Sequence, residues 1–293
     1  MPEPQEELAL NFALKSHPGR IRPLNEDAVG ADPGIGLFIL ADGLGGYNAG
    51  EVASTMTVSM LLTDLGSQLS RANGSPDTFD PTDALRNALI AMNTAIFRAA
   101  LNSSAYEGMA TTVVIAWFLG GRLWVAHAGD SRLYRMRGGR LDQITRDHSF
   151  SQELVDAGMV SAEEARVLPA KNLVTKALGA TPELEPEVHD YDVLPGDIIL
   201  MCSDGLTEMV SHLEIGGLIN GCAGDVVESA RRLIDLANEA GGRDNTSVIL
   251  VRVAGPESQS DVDSEEEAEA GDDADVAADD GVPVLQVPER AAY

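Results

Sequence analysis

The stretch TTVVIAWFLGGRLWVAHAGDSRLYRMR, residues 111–137, decides the fold class of this sequence. It is rich in β-branched and aromatic residues, and a glycine pair at 120–121 separates its first two apolar runs. Short runs of this composition, separated by glycines, predict β-strands joined by tight turns. We therefore expect the strands in this stretch to form an antiparallel meander.

The residues before this stretch predict two strands and two helices. Apolar residues alternate with small or polar ones over residues 8–14, which is the period of a strand buried on one face. LFILADG, residues 37–43, is a compact apolar run that stops at Asp-Gly. Apolar residues then recur at helical spacing over residues 58–69 and again over residues 85–99. Each helix has one apolar face, so each is expected to pack on a sheet.

The residues after the stretch predict a mixture of helices and strands in blocks. Residues 148–180 have a helical but irregular pattern, and DIILMCSDG, residues 197–205, is a strand ending in Asp-Gly. A helix is expected at 225–240, and NTSVILVRV, residues 245–253, closes the domain as a strand. Helices and antiparallel strands that come in blocks, without regular βαβ alternation, predict an α+β architecture in layers.

The composition excludes several classes of protein. The chain has 293 residues, 44% of them hydrophobic, which is enough for a sizeable core. Its formal net charge of -27 would be repelled by a phosphate backbone, so we expect no nucleic-acid partner. The N-terminus lacks the basic region of a signal peptide, and no apolar run approaches the roughly 18 residues of a membrane span. We expect a cytoplasmic protein without a membrane partner, in which Cys202 and Cys222 are buried thiols.

The composition changes sharply after residue 254. SDVDSEEEAEAGDDADVAADD, residues 260–280, contains no aromatic residue and few large apolar ones. Such a segment cannot bury enough surface to offset its ordering entropy. We therefore expect a folded domain at 1–254 and an acidic, disordered tail at 255–293. Residues 282–293 regain some apolar character, as a docking motif or as a frayed terminus.

Four aspartates stand at the ends of predicted strands. Asp42 follows LFILA, Asp130 follows LWVAHAG, Asp204 follows DIILMCS, and Asp244 stands just before TSVILV. A single Asp-Gly step is ordinary turn punctuation, but four carboxylates at strand ends indicate a site for hard cations. Oxygen ligands alone suit magnesium or manganese. Two such ions can activate a water for displacement at phosphorus, which predicts phosphoryl hydrolysis.

The segment RPLNED, residues 22–27, adds a cation and two carboxylates to this set. Read alone, it is a solvated turn. Beside a metal site, Arg22 offers a planar, permanently charged group that can bind a phosphoryl dianion. Glu26 and Asp27 can then hold metal-bound waters.

With these residues identified, the sequence resembles the type 2C family of metal-dependent protein serine/threonine phosphatases, particularly its bacterial members. The resemblance runs from about residue 9 to residue 253, through RPLNED, ADGLGGYNAGEVAS, GMATTVV, AGDSRLY, DHSFSQELVDAG, LVTKALG, CSDGL and GGRDNTSVILV in that order. It implies an α+β fold with four layers in the order α-β-β-α, in which a central antiparallel β-sandwich carries a bimetal centre at one end. Residues 1–254 would be the catalytic domain, with a flap at 148–180.

The resemblance also implies a role for each acidic residue. Asp42 would bridge two core ions, Mn²⁺ or Mg²⁺, and the carbonyl of Gly43 would bind one of them. Asp204 and Asp244 would bind the other. A third, more weakly held ion would be bound by Asp130 and shared with Asp204.

Further residues follow from the same resemblance. Glu26 and Asp27 match the acidic pair near the second metal, and Arg22 matches the phosphate-binding arginine. The catalytic set would then be Arg22, Asp42, Asp204 and Asp244. The implied function is hydrolysis of phosphoserine and phosphothreonine in proteins by a metal-activated water. The implied partners are phosphorylated targets of serine/threonine kinases in signal transduction. The enzyme is expected to be a monomer.

The sequence departs from some members of the family at one position, and two other functions stay open. Leu44 occupies the place of a histidine proposed to protonate the leaving group, so the general acid is unassigned. His148 is the first histidine to test, with a structural role as its alternative. A phosphoprotein-binding pseudophosphatase would have lost ligands, and none is missing here. A two-metal phosphodiesterase is disfavoured by the negative charge.

Overall fold

A computed structural model describes residues 8–46, 49–72, 79–165, 167–169 and 173–254, together with the backbone of residues 285 and 286. The strands in these ranges are β1 (Leu10–His17), β2 (Asp27–Asp32), β3 (Leu37–Leu44), β4 (Ala110–Thr111), β5 (Val113–Leu119), β6 (Arg122–Ala128), β7 (Arg132–Arg137), β8 (Arg140–Gln143), β9 (Glu187–Asp192), β10 (Ile198–Cys202), β11 (Thr246–Val253) and β12 (Leu285–Gln286). The helices are α1 (Ala49–Arg71), α2 (Pro81–Asn102), α3 (Phe150–Asp156), α4 (Ala162–Ala165), α5 (Asp204–Thr207), α6 (His212–Gly221) and α7 (Val226–Glu239).

The strands form two sheets. The first sheet has the order β1-β11-β10-β7-β8, and the second has the order β12-β2-β3-β5-β6-β9, with β4 paired to β3. Every pairing is antiparallel except that of β12 with β2. The predicted α+β class is confirmed.

Three apolar clusters hold the layers together. One cluster lies between the two sheets, a second joins α1 and α2 to the outer face of the second sheet, and a third joins α6 and α7 to the outer face of the first. In β3, Phe38 and Leu40 belong to the cluster between the sheets, whereas Leu37 and Ile39 face the helices. A strand covered on both faces needs apolar residues at every position, which explains the unbroken LFIL. The layers therefore follow the predicted order α-β-β-α.

The two long helices lie where the apolar pattern predicts them. The apolar stripe at 58, 61, 62, 65 and 69 is buried in α1, and the stripe at 85, 89, 92 and 96 is buried in α2. Asp80 caps α2 by accepting hydrogen bonds from the backbone N–H groups of Thr82 and Asp83, and Pro81 occupies the first turn, where no N–H is needed. Among the described helices, none is long and apolar enough to cross a membrane.

The predicted meander over residues 111–137 is wrong. The chain forms two hairpins, β5–β6 and β7–β8, but β6 and β7 lie in different sheets. The turn between them passes through Gly129, whose φ of 119° favours glycine. A Cβ atom at Gly129 would also lie 2.5 Å from the Cβ atom of Thr112. This crossing places Asp130 where the two sheets meet.

The C-terminal tail adds one short pairing to this fold. The predicted disordered tail at 255–293 lies outside the described residues, apart from the backbone of β12. Leu285 and Gln286 pair in parallel with Gly30 and Ala31 at the edge of β2. The tail of the chain thus pairs with β2 and forms the outermost strand of the second sheet.

Candidate metal centre

The acidic residues meet because their strands all start or stop at one end of the sandwich. Asp27 begins β2 and is the direct neighbour of Asp42 near the end of β3. Asp204 follows β10, and Asp244 stands two residues before β11, which pairs antiparallel with β10. Asp130 occupies the crossing between the sheets. The negative charges of Asp27, Asp204, Asp130 and Asp244 all act on Asp42. The structure therefore brings together the four aspartates at the strand ends and Asp27.

These carboxyl groups destabilise one another's charged forms. Burial, and after it the charges of Asp27 and Asp204, raise the pKa of Asp42 well above its ordinary value of 3.8. Burial raises the pKa of Asp204 in the same way, and the charges of Asp130 and Asp244 add to the effect. Burial also raises the pKa of Asp27 to about 6, against hydrogen bonds from Ser247 and Ser203. A cation between these groups would remove this cost.

Two carboxylate oxygens at this end are buried without a partner. Glu26 Oε1 and Asp27 Oδ1 accept no hydrogen bond within the part of the chain that the structure describes. A buried anion without a donor costs free energy unless a cation or water satisfies it. The donor set is oxygen throughout, which fits Mg²⁺ or Mn²⁺. The residues present therefore fit a centre for hard cations.

Two glycines make room beside Glu26. A Cβ atom at Gly50 would lie 2.6 Å from Glu26 Oε1. A Cβ atom at Gly43 would lie 2.6 Å from the backbone oxygen of Glu26, which accepts the Gly43 N–H at 3.0 Å. The start of α1 and the end of β3 can approach the RPLNED segment only because both positions lack a side chain. Gly43, whose carbonyl is a predicted ligand, thus lies against Glu26.

Arg22 lies at the solvent-facing side of this centre. Its Nη2 donates to Asp244 Oδ2 at 2.7 Å, and 48% of the Arg22 side chain is exposed. The guanidinium is thereby directed to the acidic residues while solvent can still reach it. This arrangement is compatible with binding an incoming phosphoryl group. An exposed pair of this kind contributes little to stability.

Residues that sequence reasoning did not assign hold the backbone of the site. Asn245 accepts the Glu26 N–H at 2.8 Å and donates to the carbonyls of Pro18 and Leu24 at 3.0 and 2.8 Å. One side chain therefore ties the RPLNED segment to the start of β11. Only its place beside Asp244, in GGRDNTS, gives a hint of this role in the sequence.

The threonine pair of GMATTVV has a similar role at Asp42. The Asp42 N–H donates to Thr112 Oγ1 at 3.1 Å, and the Asp42 carbonyl accepts from Thr111 Oγ1 and from the Thr112 N–H, both at 2.8 Å. These bonds fix the backbone that carries the central carboxylate. Thr112 also shares a hydrogen bond with Ser131 at 2.7 Å, next to Asp130.

His148 and the two cysteines are not among the residues that form the candidate metal centre. His148 is buried, with Nδ1 accepting the Gly129 N–H at 3.1 Å and Nε2 bonded to Glu187 Oε1 at 3.0 Å. Both ring nitrogens are therefore engaged, which argues against a role as general acid. Burial raises the pKa of Cys202 to about 12, which disfavours the reactive thiolate form. Cys222 is only partly buried, which corrects the prediction of two buried thiols.

The fold and the acidic residues together define a β-sandwich with a candidate centre for hard cations at one end. A family model described as Protein phosphatase 2C matches residues 21–245. The chain therefore belongs to the protein phosphatase 2C family.

Relatives with assigned names agree with this family. The chain is 40% identical over 246 residues to the serine/threonine protein phosphatase PstP of Mycobacterium tuberculosis strain H37Rv, covering 84% of this chain but 45% of that protein. This chain thus spans about half the length of the mycobacterial relative. It is 34% identical over 250 residues to the protein phosphatase PhpP of Streptococcus pneumoniae strain R6, covering 83% of this chain and 97% of that protein.

Solved structures of such relatives share the fold. The crystal structure of the PstP catalytic domain in complex with two manganese ions matches with a TM-score of 0.74 and 39% identity, covering 85% of this chain and all of that chain. The structure of the serine/threonine phosphatase of S. agalactiae matches with a TM-score of 0.73 and 34% identity, covering 84% of this chain and all of that chain.

Proposed function

We propose that this protein hydrolyses phosphoserine and phosphothreonine in other proteins with the help of Mn²⁺ or Mg²⁺. The observation that carries the proposal is the group of buried carboxyl groups that raise one another's pKa values at one end of the sandwich. Membership of the family and the names of the bacterial relatives support the same reaction. The substrates would be targets of serine/threonine kinases in signal transduction.

We assign the metal ligands from the positions of these groups. Asp42 and the Gly43 carbonyl, on β3, and Asp204 and Asp244, beside β10 and β11, would hold two core ions. Glu26 and Asp27 would complete their surroundings, since each has a buried oxygen without a partner among the described residues. The two manganese ions in the related PstP structure support two core ions here. Asp130 would hold a third, weaker ion.

The protein's own groups prepare the site for phosphate. When bound, the ions would supply a water of lowered pKa and would offset the charge of the phosphoryl oxygens. Arg22 would bind the same oxygens, exchanging part of its contact with Asp244 for the substrate. Thr112 and Asn245 would keep the carboxylates and their strands in place. The products would be the free hydroxyl group of the protein and inorganic phosphate.

The experiment that tests this function measures phosphate release from a phosphothreonine peptide. The full chain is assayed with Mn²⁺, with Mg²⁺ and with EDTA, alongside Asp204→Asn. Asp235→Asn is a matched control, because Asp235 lies on α7 and pairs with Arg231. We expect turnover with metal, none with EDTA, a severe loss in Asp204→Asn and no change in Asp235→Asn.

Each other outcome has a defined meaning. If Mn²⁺ fails to support turnover, the proposed enzyme function is wrong. Binding of the phosphopeptide without turnover would favour the pseudophosphatase. A preference for a phosphodiester such as bis(p-nitrophenyl) phosphate would favour the phosphodiesterase.

We also propose that residues 1–254 are the catalytic domain and that residues 255–293 are an accessory acidic tail. All of the proposed ligands lie before residue 255. A chain ending at residue 254 should therefore hydrolyse a small phosphopeptide within about threefold of the full chain, since no site residue is removed. Complete loss of turnover would show that the tail belongs to the catalytic domain.

The setting of the reaction is part of the proposal. We propose a cytoplasmic enzyme, because its cysteines are free thiols, as is usual in a reducing compartment. We propose a monomer, because one chain supplies the whole candidate site. Fractionation of cells and light scattering of the purified protein test these two points.

A further inference from the structure

We propose that His148 is a positioning residue, whose neutral imidazole fixes the backbone of Gly129 and so the loop that carries Asp130. Glu187 would hold the imidazole in the required tautomer. This inference rests on the proposed function, since it concerns the residue assigned to the weaker third ion. It adds two residues, His148 and Glu187, that would set how well that ion is bound.

Two hydrogen bonds join His148 to Gly129. The backbone N–H of Gly129 donates to His148 Nδ1 at 3.1 Å, and the backbone N–H of His148 donates to the Gly129 carbonyl at 2.9 Å. Both backbone groups of the glycine just before Asp130 are thereby satisfied by one residue. The loop cannot be stiffened by a side chain at 129, because the φ of 119° and the contact with Thr112 favour glycine there. The bonds from His148 take the place of that missing restraint.

The same bonds define which ring nitrogen carries the proton. A backbone N–H can only donate, so His148 Nδ1 must be the unprotonated acceptor. The proton of the neutral ring is then on Nε2, which donates to Glu187 Oε1 at 3.0 Å. Although burial acts to raise it, the pKa of Glu187 is lowered, chiefly by this hydrogen bond. Glu187 stays an acceptor and keeps the ring in place.

This tautomer excludes another interpretation of the same residues. His127, His148 and Glu187 each offer a ligand atom, and these atoms lie within 4.8 Å of one another. A metal ion would need a lone pair on His148 Nε2, and that nitrogen carries the proton. His127 stacks on His148, with ring centroids 4.7 Å apart, and its Nε2 is bonded to the Arg146 carbonyl at 2.9 Å. The group is therefore a support for the loop.

On the other side of Asp130, the chain is held by the ion pair of Arg132 with Asp147. Arg132 donates to both carboxylate oxygens of Asp147, at distances of 2.6 to 3.0 Å. Residues 147 and 148 thus hold residues 132 and 129, with Asp130 between them. The His148 carbonyl also accepts the Thr175 N–H at 2.8 Å, which ties the end of the flap to the same residue. A change in His148 should therefore be felt at Asp130.

The experiment compares two substitutions, each of which keeps one of the two hydrogen bonds made by the His148 ring. In His148→Asn, the amide oxygen can replace Nδ1 and accept the Gly129 N–H, while the bond to Glu187 is lost. In His148→Gln, the amide can reach Glu187, while the Gly129 N–H is left unpaired. His189→Gln is the matched control, since His189 is 61% exposed and 3.9 Å from the other oxygen of Glu187. Asp130→Asn shows the effect of losing the ligand itself.

The readouts are Mn²⁺ binding by calorimetry, the Mn²⁺ concentration that gives half-maximal turnover, and the melting temperature in EDTA. We expect His148→Gln to weaken the weakest Mn²⁺ site about 10-fold or more, as is usual when a supporting residue of a metal site is lost. His148→Asn should stay within about threefold of the parent protein, because the acceptor for Gly129 is kept. His189→Gln should match the parent.

The inference is overturned if folded His148→Gln binds Mn²⁺ like the parent, or if His148→Asn is as impaired as His148→Gln. Should His148→Gln fail to fold, Glu187→Gln and Glu187→Ala give the same comparison at a partly exposed residue. Glu187→Gln keeps an acceptor for Nε2 and should bind Mn²⁺ normally, whereas Glu187→Ala should weaken the weakest site. Equal binding by these two variants would also overturn it. Failure of the parent protein to bind Mn²⁺ would instead contradict the proposed function.

Discussion

The layer between the two sheets has an apolar body and a polar end, and the two are built on the same strands. In β3, Phe38 and Leu40 are fully buried in the apolar body, and Asp42 is the next residue with the same orientation. In β2, Val29 and Ala31 lie in the body and Asp27 at the polar end. Two residues along a strand are enough to pass from core to candidate site.

The other strands repeat this change. A polar residue continues the inward-facing series at Ser16, Thr112, His127, Ser131, Ser203 and Ser247. Ser16 is hydrogen-bonded to Ser247 and Thr112 to Ser131, both at 2.7 Å, and Ser203 donates to Asp27 at 2.8 Å. The apolar body stabilises the fold, whereas the buried carboxyl groups of the polar end destabilise it when they are charged. Substitutions in the two regions should therefore have opposite signatures.

The largest expected effect is that of Asp42→Asn at the polar end. We expect turnover with Mn²⁺ to fall by about 1,000-fold, equivalent to roughly 4 kcal/mol, because the central ligand is lost. The metal-free protein should at the same time melt at a higher temperature, since one of the repelling carboxyl groups is gone. Phosphate release and thermal melts in EDTA measure the two effects.

The control for this prediction is Asp190→Asn, an exposed aspartate on β9 that pairs with Arg122. It should change neither turnover nor the metal-free melting temperature appreciably. Asp42→Asn that melts at a lower temperature than the parent in EDTA would show that the polar end does not oppose folding.

The second prediction concerns Leu40→Ala, two residues earlier in the same strand. We expect it to cost about 3 kcal/mol of the free energy of unfolding, since a fully buried leucine leaves a cavity. Denaturant unfolding measures this loss. Turnover at a temperature where the variant is folded should stay within about threefold, because the ligands are intact. Loss of turnover in the folded variant would mean that the body and the polar end are not separable.

The sequence allows the apolar body to be predicted better than the polar end. The periodicity of residues 8–14, 58–69 and 85–99 predicts β1, α1 and α2 correctly, because each has one clear apolar face or stripe. The meander fails because β-branched runs predict strands but do not say which sheet a strand joins. That choice depends on the turn at Gly129, whose φ of 119° no apolar pattern encodes.

The site was predictable where its residues carry their own chemistry. Asp42, Asp130, Asp204 and Asp244 stand out as carboxylates at strand ends, and the structure brings them together. Asn245 and the pair of threonines at 111–112 act through backbone hydrogen bonds to partners distant in the chain. Polar residues of these types are common beside turns, so composition and spacing do not distinguish them.

The smallest expected effect concerns the pH dependence of stability through Asp27. Its pKa is raised from 3.8 to about 6 in the folded protein, chiefly by burial. The Asp27 carboxyl group therefore binds its proton more tightly in the folded state than in the unfolded state. The stability gained from this tighter binding is lost as the pH rises through the pKa of the folded state. In EDTA, Asp27 alone should make the protein more stable at pH 5 than at pH 7 by about 1 kcal/mol, or roughly 3 °C in melting temperature.

Metal should reverse this dependence, because the ligands must be ionised to bind cations. With saturating Mn²⁺, the melting temperature should be higher at pH 7 than at pH 5. Asp27→Asn should lose the part of the pH effect in EDTA that belongs to Asp27, whereas Asp190→Asn should retain it. A metal-free protein that becomes less stable between pH 7 and pH 5 would mean that Asp27 is charged at little cost. The buried carboxyl groups of the polar end would then not lower the stability of the metal-free protein.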